Sequence, residues 1–359
     1  MVRGERITIK QVANEAGVST QTVSRVLNLR PDVSPETRQR VTEVIEHLGY
    51  HPSALARSLI QRRSFTLGVV TAGLKFIGPS RTLSGITEKA EELGFALLLS
   101  ELPEFDAHNQ EPVLRSLLAR QVDGILWAVP EVGKNRSWVH DLLPTLPVPI
   151  IFLAMEPRAD VVVVSIDNHY GGFIATQHLV EQGYQTICHI AGPLDWWEAR
   201  QRKKGWLDAL EPPNLPVADR QCVEGTWSSS SGERAMRQLL QQCPDLDAVF
   251  VANDQMALGV LQVACREGLA VPERLGVVGF DGIAESAFFW PPLTTVSQDQ
   301  AELGALAVQE LVNAIEGTYQ EEGAGKEHLG VVSHSVVIKP QLLARASSVK
   351  KHPDSFRNL

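Results

Sequence analysis

Between Phe65 and Phe280 short apolar runs alternate with amphipathic helical patterns, and few folds can house that rhythm. The runs are Thr66–Val70, Phe95–Leu99, Gly124–Ala128, Ile150–Leu153, Ile187–Ala191, Ala248–Val251 and Gly276–Phe280. The helical patterns between them include Ser84–Leu93, Glu111–Arg120, Gly171–Gln182, Ala199–Leu210, Gly232–Gln241 and Gln255–Glu267. A short, continuously apolar strand is buried on both faces, and a helix between two such strands returns the chain parallel to itself. Roughly ten strands crowd a single twisted sheet but fit two Rossmann-like halves. Ligands of such sheets sit beyond the carboxyl ends of the strands. Two halves facing each other would therefore bury a small molecule between them.

The segment before this body reads differently. From Thr8 to Asn28 two short helical patterns meet at Gly17. Thr8 and Gln11 have capping-box spacing, and Val12, Ala13 and Ala16 follow at helical intervals. Gly17 can take the left-handed turn that ends the first helix. Ser19 caps the second, whose Val23, Val26 and Leu27 turn inward and leave Thr20, Gln21, Ser24 and Arg25 outside. That is a helix-turn-helix pattern, and the outer face of its second helix meets base edges in the major groove. Gln suits adenine, Arg suits guanine, and a Thr methyl suits thymine. Ser34-Pro35-Glu36 opens a third helix with Val41, Val44, Ile45 and Leu48 inward, closed by Gly49. The headpiece is thus all-α and spans residues 1–51. Residues 52–64 form a linker with a short helical pattern, too short to hold alone in water. Leu55 and Leu59 share its apolar side, and Arg57, Arg62 and Arg63 offer charge to phosphates.

Charge agrees with that division. Residues 1–63 carry ten basic against six acidic residues, a net of +4; the rest carries 23 against 36, or −13, giving the chain's −9. A basic head on an acidic body suits DNA contact at one end. The four cysteines, Cys188, Cys222, Cys243 and Cys265, show neither zinc spacing nor disulfide pairing pattern. With no apolar leader before the first capped helix and no run of 18 apolar residues, the expectation is a soluble cytoplasmic protein with no membrane, metal or cofactor. An enzyme is the other class to weigh. Gly276–Gly282 lacks dinucleotide-binding spacing. The acid pairs Asp247/Asp254 and Asp281/Asp299 could suit glycoside hydrolysis, but spacing in sequence does not set their separation. The expectation is a non-enzyme.

With these residues laid out, the chain resembles the lactose-repressor (LacI/GalR) family of bacterial transcription regulators. The match is carried by Gly17–Asn28, Val33–Arg38, Leu48–Pro52, Ala191–Pro193, Val251–Gly259, Val277–Asp281 and Pro291–Asp299. The resemblance implies a helix-turn-helix headpiece, a hinge helix, and an α/β two-subdomain core of the periplasmic-binding-protein type over 65–345. It divides that core into an N-subdomain (about 65–165 and 295–325) and a C-subdomain (about 166–292 and 326–345), with a frayed tail over 346–359. It also implies a homodimer on a near-palindromic double-stranded operator, since the leucine-heptad helix of tetrameric members is missing.

Carried over by position, Thr20, Gln21 and Arg25 fall where the family reads bases, with Thr8, Ser19, Ser24 and Asn28 grouped as DNA-contacting positions. Leu59 falls on the minor-groove wedge. Arg202, Trp227, Asn253, Asp281 and Gln298 fall on effector-contacting positions, and their chemistry suits sugar hydroxyls and a ring face. Phe76, Trp127 and Trp196 add bulk to the cleft. Ala154 and Ala128 stand where the lactose-responsive pattern has a sugar-contacting Asp and an Asn, so a different sugar is as consistent as a galactoside. The implied function is a repressor of sugar-utilisation genes released from its operator by a small sugar. The alternative is a co-repressor regulator, with sugar or purine strengthening DNA binding; a sugar-binding protein without regulation is a further alternative.

Overall fold

The computed structural model describes residues 7–27, 30–50, 63–105, 110–159, 161–211, 218–317 and 335–350. The chain divides into two compact units, Met1–Phe65 and Thr66–Leu359.

In the first unit, α1 (Ile9–Glu15), α2 (Thr20–Leu27) and α3 (Pro35–Leu48) surround a small core of Val12, Ala13, Ala16, Val23, Val26 and Val41. Each helix starts where its capping residue predicts. Thr8 Oγ1 accepts from Gln11 N–H, and Gln11 Oε1 accepts from Thr8 N–H at 2.7 Å. Ser19 Oγ accepts from Thr22 N–H at 3.0 Å, and Ser34 Oγ from Thr37 N–H at 3.3 Å. These bonds satisfy donors that a helix N-terminus otherwise leaves to water. Gly17 sits at φ +64° between α1 and α2, a turn that costs a side chain-bearing residue strain. Arg38 on α3 donates to Val26 O and Arg30 O, tying α3 to the end of α2.

The second unit holds two six-stranded sheets. The first runs β11-β5-β4-β3-β1-β2 and the second β12-β10-β9-β8-β6-β7. Their strands are β1 (Thr66–Ala72), β2 (Ala96–Leu102), β3 (Gly124–Ala128), β4 (Ile150–Leu153), β5 (Val162–Ile166), β6 (Ile187–Ala191), β7 (Cys222–Glu224), β8 (Ala248–Val251), β9 (Gly276–Asp281), β10 (Thr294–Ser297), β11 (Ser335–Ile338) and β12 (Gln341–Leu343). All pairings are parallel except β12 on β10. Covering helices are α4 (Ile77–Glu92), α5 (Glu111–Leu118), α6 (Asn168–Glu181), α7 (Trp197–Leu210), α8 (Ser229–Gln242), α9 (Asp254–Arg266) and α10 (Gln300–Glu316). Strand order reverses beside β1 in one sheet and beside β6 in the other, so each sheet opens a crevice at its switch point.

The subdomain boundaries differ from the expected ones at two places. The segment expected to re-enter the N-subdomain at 295 still contains β10, which pairs with β9 of the second sheet, so the crossing comes after Ser297. The stretch 326–345, expected in the C-subdomain, contains β11, which pairs with β5 of the first sheet before β12 crosses back. A strand's address is set by which edge has unpaired backbone, and neither short apolar run carries that information.

The tail differs too. The expectation is a frayed stretch over 346–359, yet Ser347 and Ser348 are fully buried. Ser347 Oγ donates to Val277 O at 2.6 Å and accepts from Thr294 N–H at 2.8 Å, while Ser348 Oγ bonds Thr294 Oγ1 and His178 Nε2. Polar residues can be interior wherever the sheet edge leaves backbone groups needing partners.

Candidate functional site

On the headpiece, Thr20, Gln21 and Arg25 are exposed on α2 and Ser24 is half-buried, while Val23 and Val26 face the core. Arg25 lies 3.4 Å from Asp32, an exposed pair that water weakens and that a base edge could replace. Thr8 and Ser19 are engaged as caps. Asn28 and Leu59 lie outside the described residues, as does most of the 52–64 linker.

In the core, the carboxyl ends of both sheets face a cleft with about 750 Å³ of empty space open to solvent. Seven of the eight expected effector residues line it: Phe76 and Trp196, Arg202 and Trp227, Asn253, Asp281 and Gln298. The eighth, Trp127, does not. It is fully buried on the opposite face of β3, its ring 4.7 Å from that of Trp138, in the same core as Phe152. Successive strand residues point to opposite faces, so Ala128 takes the cleft side and Trp127 the core.

Arg202 organises the polar wall. It rises from α7, which approaches α6 closely because Gly172 and Gly205 lie at the contact; a Cβ on either would fall within 2.3 Å of a backbone oxygen of the other helix. Nε donates to Asn168 Oδ1 at 2.8 Å, Nη1 donates to Ala252 O at 2.5 Å, and Asp281 Oδ1 lies 3.5 Å away. The guanidinium also stands 3.8 Å from the centroid of Phe280 and 5.6 Å from that of Trp227. Burial lowers the Arg202 pKa, with Asp281 and Glu198 opposing the shift. Burial likewise raises that of Asp281, against Arg202 and the bond Gln298 Nε2 donates at 2.5 Å.

Asn253 does structural work as well as lining the cleft. Its Oδ1 caps α9 by accepting from Met256 N–H at 2.9 Å, and its Nδ2 donates to Trp227 O at 3.0 Å. That bond holds Trp227, which sits at φ +66°. Trp227 meets Trp196 edge-on at 5.5 Å, and Trp196 meets Phe105 at 4.7 Å. Of the adjacent tryptophans, Trp196 therefore faces the cleft, whereas Trp197 is buried.

Among the described residues, two buried polar atoms of the lining find no partner: Gln298 Oε1 and Trp227 Nε1. One is an acceptor, the other a donor. A bare buried polar atom costs about 1–3 kcal/mol, so a ligand offering both a donor and an acceptor would be favoured here.

Sequence reasoning missed Glu198, Gln255, Gln300 and Thr82, which also line the cleft. Glu198 carried a readable signal, one helical turn before Arg202 on the same face. Gln300 carried none. It reaches the site from α10, where Thr82 Oγ1 donates to its Oε1 at 2.7 Å.

The opposite wall is apolar, with Phe76, Ile77, Pro79, Leu153 and Leu303 beside Ala128 and Ala154. Above it the subdomains are clasped by backbone: Gly133 N–H donates to Asp195 O at 2.9 Å and Trp197 N–H to Glu131 O at 3.0 Å.

Comparison with known proteins gives a consistent set of likenesses. Residues 8–53 match the family model of bacterial regulatory proteins, lacI family, and residues 176–348 match a periplasmic binding protein-like domain. The lactose operon repressor of Escherichia coli (strain K12) is 34% identical over 312 residues, spanning 87% of this chain and 85% of its own length. Among solved structures, a lac repressor dimer bound to operator and the anti-inducer ONPF aligns with a TM-score of 0.82 at 31% identity, covering 96% of this chain and 100% of that one. A complex of the transcriptional regulator CelR with cellobiose aligns at 0.69 and 31%, covering 95% and 100%.

Proposed function

Because the chain belongs to the lactose-repressor family of bacterial regulatory proteins, we propose that it represses transcription from an operator and is released by a small sugar in the core cleft. The observation that carries the sugar reading is the polar wall, where Gln298 Oε1 and Trp227 Nε1 stand unpaired beside the Arg202–Asp281 pair. Hydroxyls both donate and accept, so a polyol can satisfy both atoms at once. Trp196, Trp227 and Phe76 offer faces to the apolar side of a sugar ring. That the CelR structure holds cellobiose supports the same reading.

On the DNA side, Gln21 and Arg25 read bases from the exposed face of α2, and Leu59 takes the wedge role that the resemblance assigns it. The working form is a homodimer. Phe288 and Trp290, 88% and 91% exposed, form an apolar pair on the C-subdomain that a second copy would cover. The chain acts by binding and not by turnover, as its regulatory relatives do. Among the described residues no helix is long and apolar enough to cross a membrane.

The switch works through a difference in affinity. A sugar bound between the subdomains changes their angle, and the coupling to DNA equals its preference for the DNA-incompetent pose, about 1–3 kcal/mol in typical cases. The clasp between 131–133 and 195–197 is what such a motion must break or keep. The test is a thermal-shift screen of mono- and disaccharides with purines, followed by operator anisotropy with each hit. A sugar that stabilises the protein and weakens operator binding supports the proposal. A hit that tightens operator binding makes the protein a co-repressor regulator, and hydrolysis of the sugar would sink the binder reading.

A further inference from the structure

Among the described residues, three charged ones line the cleft: Glu198, Arg202 and Asp281. Arg202 and Asp281 answer each other, and both are further engaged, by Asn168 and Ala252 on one side and Gln298 on the other. Glu198 is different. It is the second residue of α7, one turn before Arg202, and among the described residues its carboxylate makes no hydrogen bond. Its carboxyl is the surplus charge of the wall. The lining therefore offers the Glu198 carboxylate and Gln298 Oε1 as open acceptors beside Trp227 Nε1 as an open donor, and its charged groups, two acidic against one basic, leave it net negative.

We propose that Glu198 sets the effector's chemical class: an uncharged sugar whose hydroxyl donates to this carboxyl, with phosphorylated and carboxylated sugars turned away. The inference rests on the sugar-effector reading and narrows it. An anionic sugar entering this cleft would need a cation, and the lining cation is already paired; burying an unmatched charge is strongly unfavourable. A neutral sugar brings hydroxyl donors and needs no such match.

The groups around Glu198 make the proposal readable by pH. Burial pushes its pKa up to about 7, with Arg202 opposing and Asp281 adding to the rise. Asp281 in turn feels Arg81 from α4, and Arg202 feels Asp254 from α9. Asp254 is also pushed up to about 7, chiefly by burial. Its carboxylate, however, accepts from Ile283 N–H at 2.9 Å and Thr295 Oγ1 at 2.7 Å, and it does not line the cleft. A hydroxyl that donates to ionised Glu198 binds better as that form fills, so affinity should rise about tenfold between pH 6 and pH 8.

The experiment is calorimetry on the full chain at pH 6, 7 and 8. Probes are glucose, galactose, ribose, lactose and cellobiose, with glucose 6-phosphate, ribose 5-phosphate and lactobionate as the anionic arm. The expected result is a neutral sugar that binds about tenfold more tightly at pH 8 than at pH 6, anions at least a hundredfold weaker than their parents, and a flat pH profile in Glu198→Gln. A sugar phosphate that binds more tightly than its parent overturns the assignment while leaving a sugar effector standing. So does a pH slope that persists in Glu198→Gln, and both wild-type arms remain decisive if that variant fails to fold. Silence from every neutral and anionic sugar removes this inference together with the sugar reading.

Discussion

Replacing Gly192 by Ala tests the cleft through a single methyl group. Gly192 follows β6, and a Cβ built on it would lie 2.0, 2.2 and 2.6 Å from Cη2, Cζ2 and Cζ3 of Trp227. Carbon atoms pack at about 3.5–4.0 Å, so the indole must retreat by roughly 1.5–2 Å. Its backbone cannot easily follow, because Trp227 already sits at φ +66° and its carbonyl is held by Asn253. The ring therefore swings, giving up its edge contact with Trp196 and its place near the Arg202 guanidinium. Those contacts are worth about 0.5–1.5 and 0.5–2 kcal/mol respectively. A sugar that used the indole as one wall should lose a comparable amount, so its affinity falls about ten- to a hundredfold. Calorimetry with the sugar that most stabilises the wild type measures this, and operator binding without sugar should be unchanged. Trp227→Ala should give a similar loss, and the double variant should be no worse than either single, since both remove the same wall. A dissociation constant for Gly192→Ala within twofold of wild type would refute the placement of Trp227 against the effector.

Other perturbations test separate parts of the account. Arg25→Ala should cost about 1–3 kcal/mol at one operator base pair and relax its discrimination; competition with singly substituted duplexes measures it, and a uniform loss across sequences would contradict base reading. Truncation after Ala344 strips Leu293 O of its Arg345 bond and Thr294 N–H and Val277 O of their Ser347 bonds. Each orphaned group costs about 1–3 kcal/mol, so the core's thermal midpoint should fall by many degrees; an unchanged midpoint would mean the buried serines are dispensable. Glu198→Gln should also change stability with pH. A pKa raised on folding means the folded state favours the protonated form, so the wild type loses stability as pH rises from about 4.5 to about 7. The variant's midpoint should therefore exceed the wild type's at pH 8 by more than at pH 5, and an equal gap at both would remove the desolvated charge from the explanation.

Local physics made the headpiece legible. Thr8, Gln11, Gly17, Ser19, Ser34, Pro35 and Gly49 act through bonds and dihedrals within a few residues of themselves, so their spacing alone announces where the helices begin and end. The strand–helix alternation was legible for the same reason, because apolar period and turn residues are local quantities. What the pattern left open was long-range. The second halves of the crossovers depended on which sheet edge was free, and so β10 and β11 took sheets opposite to those expected. Trp127 belongs to the core because one step along a strand reverses its face, and its Ala128 neighbour took the cleft. Gln300 and Thr82 are 218 positions apart and meet only when α10 returns across α4. The sequence by itself determined the repertoire of elements and the polar residues available to them. Tertiary structure alone decided which of those residues share the cleft and that the carboxylate of one, Glu198, makes no hydrogen bond among the described residues, since burial and pairing are properties of neighbours that lie far apart along the chain.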